Sequence, residues 1–135
     1  MFRSYIYVLG AAQKPGKQER VDFVFLHGVT LAAFYPAIAA LDWLSDDEKA
    51  RMIEAEARVD AVLYAGCGCP ELFPERIREY QPQCPSDGWA ELIHRSVVYR
   101  DEGHVVKAIR AIYGFNKMGP ESELVNGGDD EFPIA

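Results

Sequence analysis

The sequence has 135 residues, of which 49% are hydrophobic, so it is long enough for one folded domain with an ordinary core. Its net charge of −7, without a basic patch bearing interleaved aromatic residues, argues against nucleic acid as a partner, and we expect no membrane-spanning helix. Three cysteines are an odd number, which argues against a secreted disulfide scaffold and favours a cytoplasmic location.

The first half of the chain predicts helices that are rich in apolar residues. Residues 2–12 have helical apolar spacing, and residues 13–18 form a loop. The next helix is predicted from about Arg20 toward Leu41, with a kink or a break near Pro36. Because this helix is apolar almost all round, we expect it to be buried on most sides.

His27 lies in the middle of this apolar helix. A buried histidine needs a partner, because an unpaired polar group in apolar surroundings costs about 1–3 kcal/mol. One interpretation is a structural hydrogen bond to a carbonyl or to Thr30. The other is a metal ligand or an acid–base group. The sequence alone leaves both interpretations open, although a lone histidine favours the first.

Ser45 and Glu48 match a capping box and predict a helix that runs to about Ala65. Its expected inward face consists of Met52, Ala55, Val59, Val62 and Leu63. Cys67 and Cys69 follow with one residue between them. This spacing and the lack of a fourth ligand argue against a structural zinc site with Cys84. We interpret the pair as small residues at a helix end.

The later part of the chain predicts one short helix and two longer ones. Residues 74–80 form one or two turns, and Ser86 is the expected N-cap of a helix with an outward-facing His94. The inward side chains of that helix are expected to be Trp89, Leu92, Ile93 and Val97. The sequence therefore predicts an all-α bundle of about five helices over residues 1–120, as part of a larger helical domain. Residues 121–135 are expected to form a flexible polar tail.

The last helix, predicted over residues 101–113, carries a second candidate site. Asp101 is its expected N-cap, and His104 and Lys107 are neighbours on the helix surface because they are three residues apart. They lie beside an apolar stripe, where small residues leave room for a ligand or a metal. A hydrogen-bonded structural histidine and a solvated lysine are the simpler interpretation of the same pattern.

Two segments together resemble a known family. Residues 21–30 (Val-Asp-Phe-Val-Phe-Leu-His-Gly-Val-Thr) are similar to the Asp-Phe-Phe-x-x-His-x-x-Thr segment of the questin oxidase-like family. Residues 101–111 (Asp-Glu-Gly-His-Val-Val-Lys-Ala-Ile-Arg-Ala) resemble its Asp-x-x-His-x-x-Lys-x-x-Arg segment. Tyr64, Pro70 and Trp89 fall in similar positions between them, so the resemblance covers about residues 19–115.

The resemblance implies a helical oxidoreductase of secondary metabolism that opens a ring of an anthraquinone-like aromatic polyketide. Two mechanisms are associated with the family: NADPH-linked Baeyer–Villiger-type oxygenation and non-haem iron dioxygenation. In the iron mechanism, histidines and a carbamylated lysine hold the metal. The matching positions here are His27 and His104, which would also be the catalytic residues, and Lys107. Imidazole nitrogens suit iron, and a lysine carbamate presents an oxygen much as a carboxylate does.

The resemblance also implies that the chain is incomplete. Members of the family are several times longer, and the match corresponds to their C-terminal part. Further histidine ligands are expected on upstream helices that are absent here, and an uncovered apolar surface predicts self-association. A second hypothesis remains: a non-catalytic helical module that binds an apolar ligand or a partner chain through residues 23–34. Convergence of His27 and His104 would favour the enzyme, and a carbonyl partner for either histidine elsewhere would favour the module.

Overall fold

The computed structural model describes residues 2–12, 16–18 and 20–118, and over these ranges the chain is all-α, as predicted. Its helices are α1 (Phe2–Ala11), α2 (Phe23–Ala32), α3 (Tyr35–Ala39), α4 (Asp46–Gly66), α5 (Glu75–Arg78), α6 (Trp89–Val98) and α7 (His104–Met118). The five helices of ten or more residues are the five predicted ones. The predicted tail at 121–135 lies outside the described residues. Among the helices described, none is both long and apolar enough to cross a membrane.

Helix α2 occupies the centre of the fold and contacts α1, α4 and α7. The core consists of Leu9, Leu26, Val29, Ala32, Tyr35, Ala111 and Phe115, contributed by α1, α2, α3 and α7. The break predicted near Pro36 is present, because α2 ends at Ala32 and Pro36 lies in the first turn of α3. As predicted, α2 is covered on most of its sides, by α1, α4 and α7. One stripe is open, because Phe23, His27 and Leu31, four residues apart, are exposed, with Phe23 at 61%. The expectation that His27 is buried is therefore wrong.

The predicted capping box at the start of α4 is confirmed. Glu48 Oε2 accepts hydrogen bonds from Ser45 N at 2.8 Å and from Ser45 Oγ at 2.7 Å, and Glu48 N donates to Ser45 Oγ at 3.3 Å. The predicted inward face is wrong, because α4 contains no buried residue. The face is exposed instead, at Met52, Ala55, Val59, Val62 and Leu63. Periodicity marked an apolar side of the helix, but the described helices cover little of it.

Helices α6 and α7 pack together as a pair, and the rings of Trp89 and Tyr113 meet edge to face at 5.1 Å. The prediction that Ser86 caps α6 is wrong. Gly88 is the N-cap, and its backbone N–H donates to Glu91 Oε2 at 3.0 Å. His94 is exposed, as predicted, whereas Val97 and Ile93 are also exposed rather than inward.

Gly103 separates α6 from α7. Its φ of +80° lies in the left-handed region that favours glycine, so the chain turns sharply there. The last helix consequently begins at His104, two residues later than a helix capped directly by Asp101 would begin. This turn places His104 at the start of α7, where it meets α2.

Candidate functional site

Two aspartates fix the starts of the helices that form the site. Asp22 Oδ1 accepts from Val24 N at 2.8 Å and from Phe25 N at 3.2 Å, which caps α2. The Asp101 carboxylate accepts from Val105 N and Gly103 N, each at 2.8 Å, which anchors the start of α7. The backbone hydrogen bond from Val105, aided by those from Gly103 and His104, lowers the pKa of Asp101.

Three rings meet where the two helices begin. Phe23 is the first residue of α2 and His104 the first of α7, and their ring centroids lie 4.9 Å apart. His27, one turn into α2, has its ring centroid 4.5 Å from Phe23 and 5.6 Å from His104. The structure therefore brings together the two histidines that sequence analysis selected, from different helices.

The hydrogen bond of His27 defines how its ring is held. Its Nδ1 lies 2.7 Å from the carbonyl oxygen of Phe23 in the same helix. Because a carbonyl only accepts, Nδ1 carries the proton, and the lone pair of neutral His27 is on Nε2. Thr30 donates to the backbone carbonyl of His27 at 3.0 Å instead of to the ring. The carbonyl partner is the contact expected of a structural histidine, but metal-ligating histidines commonly make the same bond.

The histidine pair is compatible with a shared iron ion. A ring nitrogen binds such a metal at about 2.1 Å, so two rings on one ion have centroids less than about 6.5 Å apart. The observed 5.6 Å meets this condition. Lys107 is exposed on α7, one turn after His104. Over the described residues, no group of three His, Cys, Asp or Glu side chains could hold a metal. Lys107 as a further ligand stays a prediction.

A second polar cluster lies on another side of α2. The Tyr5 hydroxyl is hydrogen bonded to Asp60 and lies 3.4 Å from the Tyr35 hydroxyl. Burial raises the pKa of Tyr5, and the bonds to Asp60 and Tyr35 act in the same direction. Burial also raises the pKa of Glu56, with repulsion from Asp60 as the smaller cause.

The contact of Phe23 with both histidines was not predicted from the sequence, and neither was this second cluster. One signal was available for the cluster. Glu56 and Asp60 are four residues apart on α4, beside its predicted inward face. Two like charges at this spacing destabilise a helix, so their presence indicates a polar partner on another part of the chain. The phenols of Tyr5 and Tyr35 carried no such signal, because their neighbours are distant in sequence.

Comparison with known proteins places these residues in context. The family model described as Questin oxidase-like matches residues 1–112. The chain is 41% identical to oxidoreductase AflY of Aspergillus parasiticus over 128 residues, which are 95% of this chain and 25% of that protein. It is 34% identical to Baeyer-Villiger oxidase ptaJ of Pestalotiopsis fici, over 95% of this chain and 29% of that protein.

A third similar protein is the questin oxidase of Aspergillus fumigatus, with 39% identity over 78% of this chain and 24% of that protein. The chain thus spans about a quarter of the length of the curated relatives that it matches. The matched region contains both histidines and Lys107.

Proposed function

The chain belongs to the questin oxidase-like family, and from this premise we propose that it carries part of the active site of an oxygenase. The substrate class is an anthraquinone-like aromatic polyketide, which undergoes oxidative ring opening. The names of the relatives support this assignment, since they are an oxidoreductase, a questin oxidase and a Baeyer–Villiger oxidase.

One observation carries the proposal: the convergence of His27 and His104 from two helices, with ring centroids 5.6 Å apart. Metal sites inside helical bundles are built in this way, from side chains on facing helices. The bond from His27 Nδ1 to the Phe23 carbonyl holds the ring in one orientation and leaves Nε2 as the donor to a metal.

Each residue has a distinct part in the proposal. His27 and His104 hold iron through imidazole nitrogens, and Lys107, carbamylated on Nζ, adds an oxygen ligand of negative charge. Phe23 contacts both rings and packs beside the pair. His27, His104 and Lys107 would hold iron for a reaction in which the aromatic substrate supplies the electrons for the reduction of O2; in the Baeyer–Villiger mechanism NADPH would be the reductant. Both cofactors belong to the proposal.

Metal content tests the proposal directly. We would express the chain in iron-supplemented medium and measure iron by plasma mass spectrometry in the wild type, His27→Ala and His104→Ala. His94→Ala is the matched control, because His94 is exposed on α6. We expect near-stoichiometric iron in the wild type and the control, and loss in both site variants.

Circular dichroism of every sample separates loss of the site from loss of the fold. A folded wild type that contains no iron would overturn the proposed site. Iron retained in both His27→Ala and His104→Ala would do the same.

A further inference from the structure

A cavity of about 320 Å³ lies between α1, α2 and α4. Its volume is at the lower end of the range for small-molecule sites, which is about 300–1,000 Å³. Its wall is almost entirely apolar and includes Val8, Val24, Phe25, Ala57, Ala61 and Tyr64. A flat aromatic molecule of two or three rings is the kind of ligand that matches this lining.

Asp60 is the charged group in this wall, and its carboxylate has unused capacity to accept a hydrogen bond. The Tyr5 hydroxyl is bonded to the carboxylate. Oδ2 is buried and has no hydrogen-bond partner among the described residues. A buried acceptor without a partner is unfavourable by an amount similar to a lost hydrogen bond. A ligand that brought a donor into the cavity would remove this penalty.

Gly28 forms part of the cavity wall and keeps it open. A Cβ added there would lie 3.2 Å from Asp60 Oδ1 and 3.2 Å from the Tyr5 ring. A side chain at this position would therefore press on both polar residues. The hydrogen at Gly28 leaves α2 close to the Tyr5–Asp60 pair, with space for a ligand beside it.

We propose that this cavity binds a hydroxylated aromatic molecule, a phenol, whose hydroxyl donates a hydrogen bond to the Asp60 carboxylate. Oδ2 itself is covered, so the carboxylate turns about χ2 to meet the donor, and this torsion is soft in aspartate. The inference deepens the proposed function, because it assigns where a phenolic ring of the substrate lies. It does not depend on iron, since binding precedes any oxidation.

The carboxylate also determines which ligands are rejected. An aromatic carboxylic acid is ionised at pH 7 and would place a second negative charge beside Asp60, which is unfavourable in an apolar cavity. An aromatic hydrocarbon of the same size would fill the space but leave the acceptor unpaired. The expected order of affinity is therefore phenol, then hydrocarbon, then carboxylate.

Three probes of one size test this order on the full chain without iron or reductant: 2-naphthol, 2-methylnaphthalene and 2-naphthoate. Affinities are measured by titration followed by protein NMR, which also identifies the residues whose signals move. We expect 2-naphthol to bind roughly tenfold more tightly than 2-methylnaphthalene, as for a hydrogen bond to a charged group. Shifts are expected at Gly28, Ala57 and Ala61.

Two variants localise the effect. Gly28→Ala narrows the cavity and is expected to weaken the binding of 2-naphthol at least fivefold. Gly66→Ala is the control: its added Cβ would meet nothing within 4 Å, so the affinity for 2-naphthol should not change. Asp60→Asn removes the charge and keeps the shape, so the preference for 2-naphthol over 2-naphthoate should fall by roughly tenfold.

Equal binding of 2-naphthol and 2-methylnaphthalene by the wild type would overturn the proposal, as would no binding or shifts confined to other residues. If Gly28→Ala does not fold, the affinities of Asp60→Asn for the three probes decide whether Asp60 selects the phenol. Because no metal is present, a failure here leaves the histidine site untouched. Loss of iron binding with normal phenol binding would reject only the metal site.

Discussion

The rings of His27 and His104 lie with centroids 5.6 Å apart and planes inclined by 58°, and the ring of Phe23 contacts both. Substitution Phe23→Leu removes an aromatic ring that is 61% exposed, so stability should change little. The loss of its ring current should shift the side-chain NMR signals of both histidines. Phe34→Leu, at another exposed position, should shift neither. Movement of only one histidine would contradict the three-ring contact.

Substitution of Lys107 tests whether a lysine carbamate is a ligand in the proposed site. Lys107→Ala should reduce bound iron to the level of the histidine variants, because a two-imidazole site has lost its anionic ligand. In the wild type, 13C-labelled bicarbonate should give a carbamate signal that is absent from the variant. Lys117→Ala, further along the same helix, is the control and should keep both the iron and the signal. Undiminished iron in Lys107→Ala would remove this lysine from the proposed ligand set.

The N-cap of α2 predicts a stability change. Asp22 accepts hydrogen bonds from Val24 N and Phe25 N, so Asp22→Ala should lower the free energy of unfolding by about 1 kcal/mol. Ser86→Ala should change it by less than about 0.5 kcal/mol, because Gly88 and Glu91 form the start of α6. Urea denaturation measures both values. Equal losses in the two variants would contradict the assigned caps.

Glu56 predicts a pH dependence. Its pKa is raised by burial and, less strongly, by Asp60, so the folded state binds the proton of Glu56 more tightly than the unfolded state does. The stability contributed by this group is present below the unfolded pKa and falls as pH rises through the folded pKa. Glu56→Gln removes this fall, so the variant should gain stability relative to wild type between pH 4 and pH 7.

Thermal unfolding of the wild type and Glu56→Gln at pH 4 and at pH 7 measures this change in relative stability. Glu71→Gln, at an exposed position outside the helices, is the control and should change stability equally at both. A Glu56→Gln advantage that is larger at pH 4 would have the wrong sign and would reject the assignment.

The features that the sequence predicted correctly depend on short stretches of chain. The capping box of Ser45 and Glu48 is complete within four residues, and the break before Pro36 follows from the missing backbone N–H of proline. The predicted N-cap of α6 was wrong. Ser86 was chosen because serine is a common N-cap, whereas the observed hydrogen bond joins Gly88 N to Glu91 Oε2. Local chemistry therefore located the start of α4 but misplaced the N-cap of α6 by two residues.

Burial could not be predicted in the same way, because it depends on which helices come together. The apolar face of α4 has clear helical spacing, yet Val62 is 70% exposed and Met52 is 46% exposed. The histidine pair was predicted only through resemblance to a family, since no periodicity links His27 to His104. The contact of Tyr5 with Asp60 joins α1 to α4 and could be found only in three dimensions.

Helix α2 bears His27 on one side and Gly28, in the cavity wall, on another, and the side chains of neighbouring helix residues point about 100° apart. A rigid helix cannot adjust one of these positions without moving the other. If a phenol in the cavity changes the affinity of the histidine pair for iron, iron must change the affinity of the cavity for the phenol by the same factor. Under the two proposals, the shared helix α2 is the element through which the cavity and the histidine pair would be coupled.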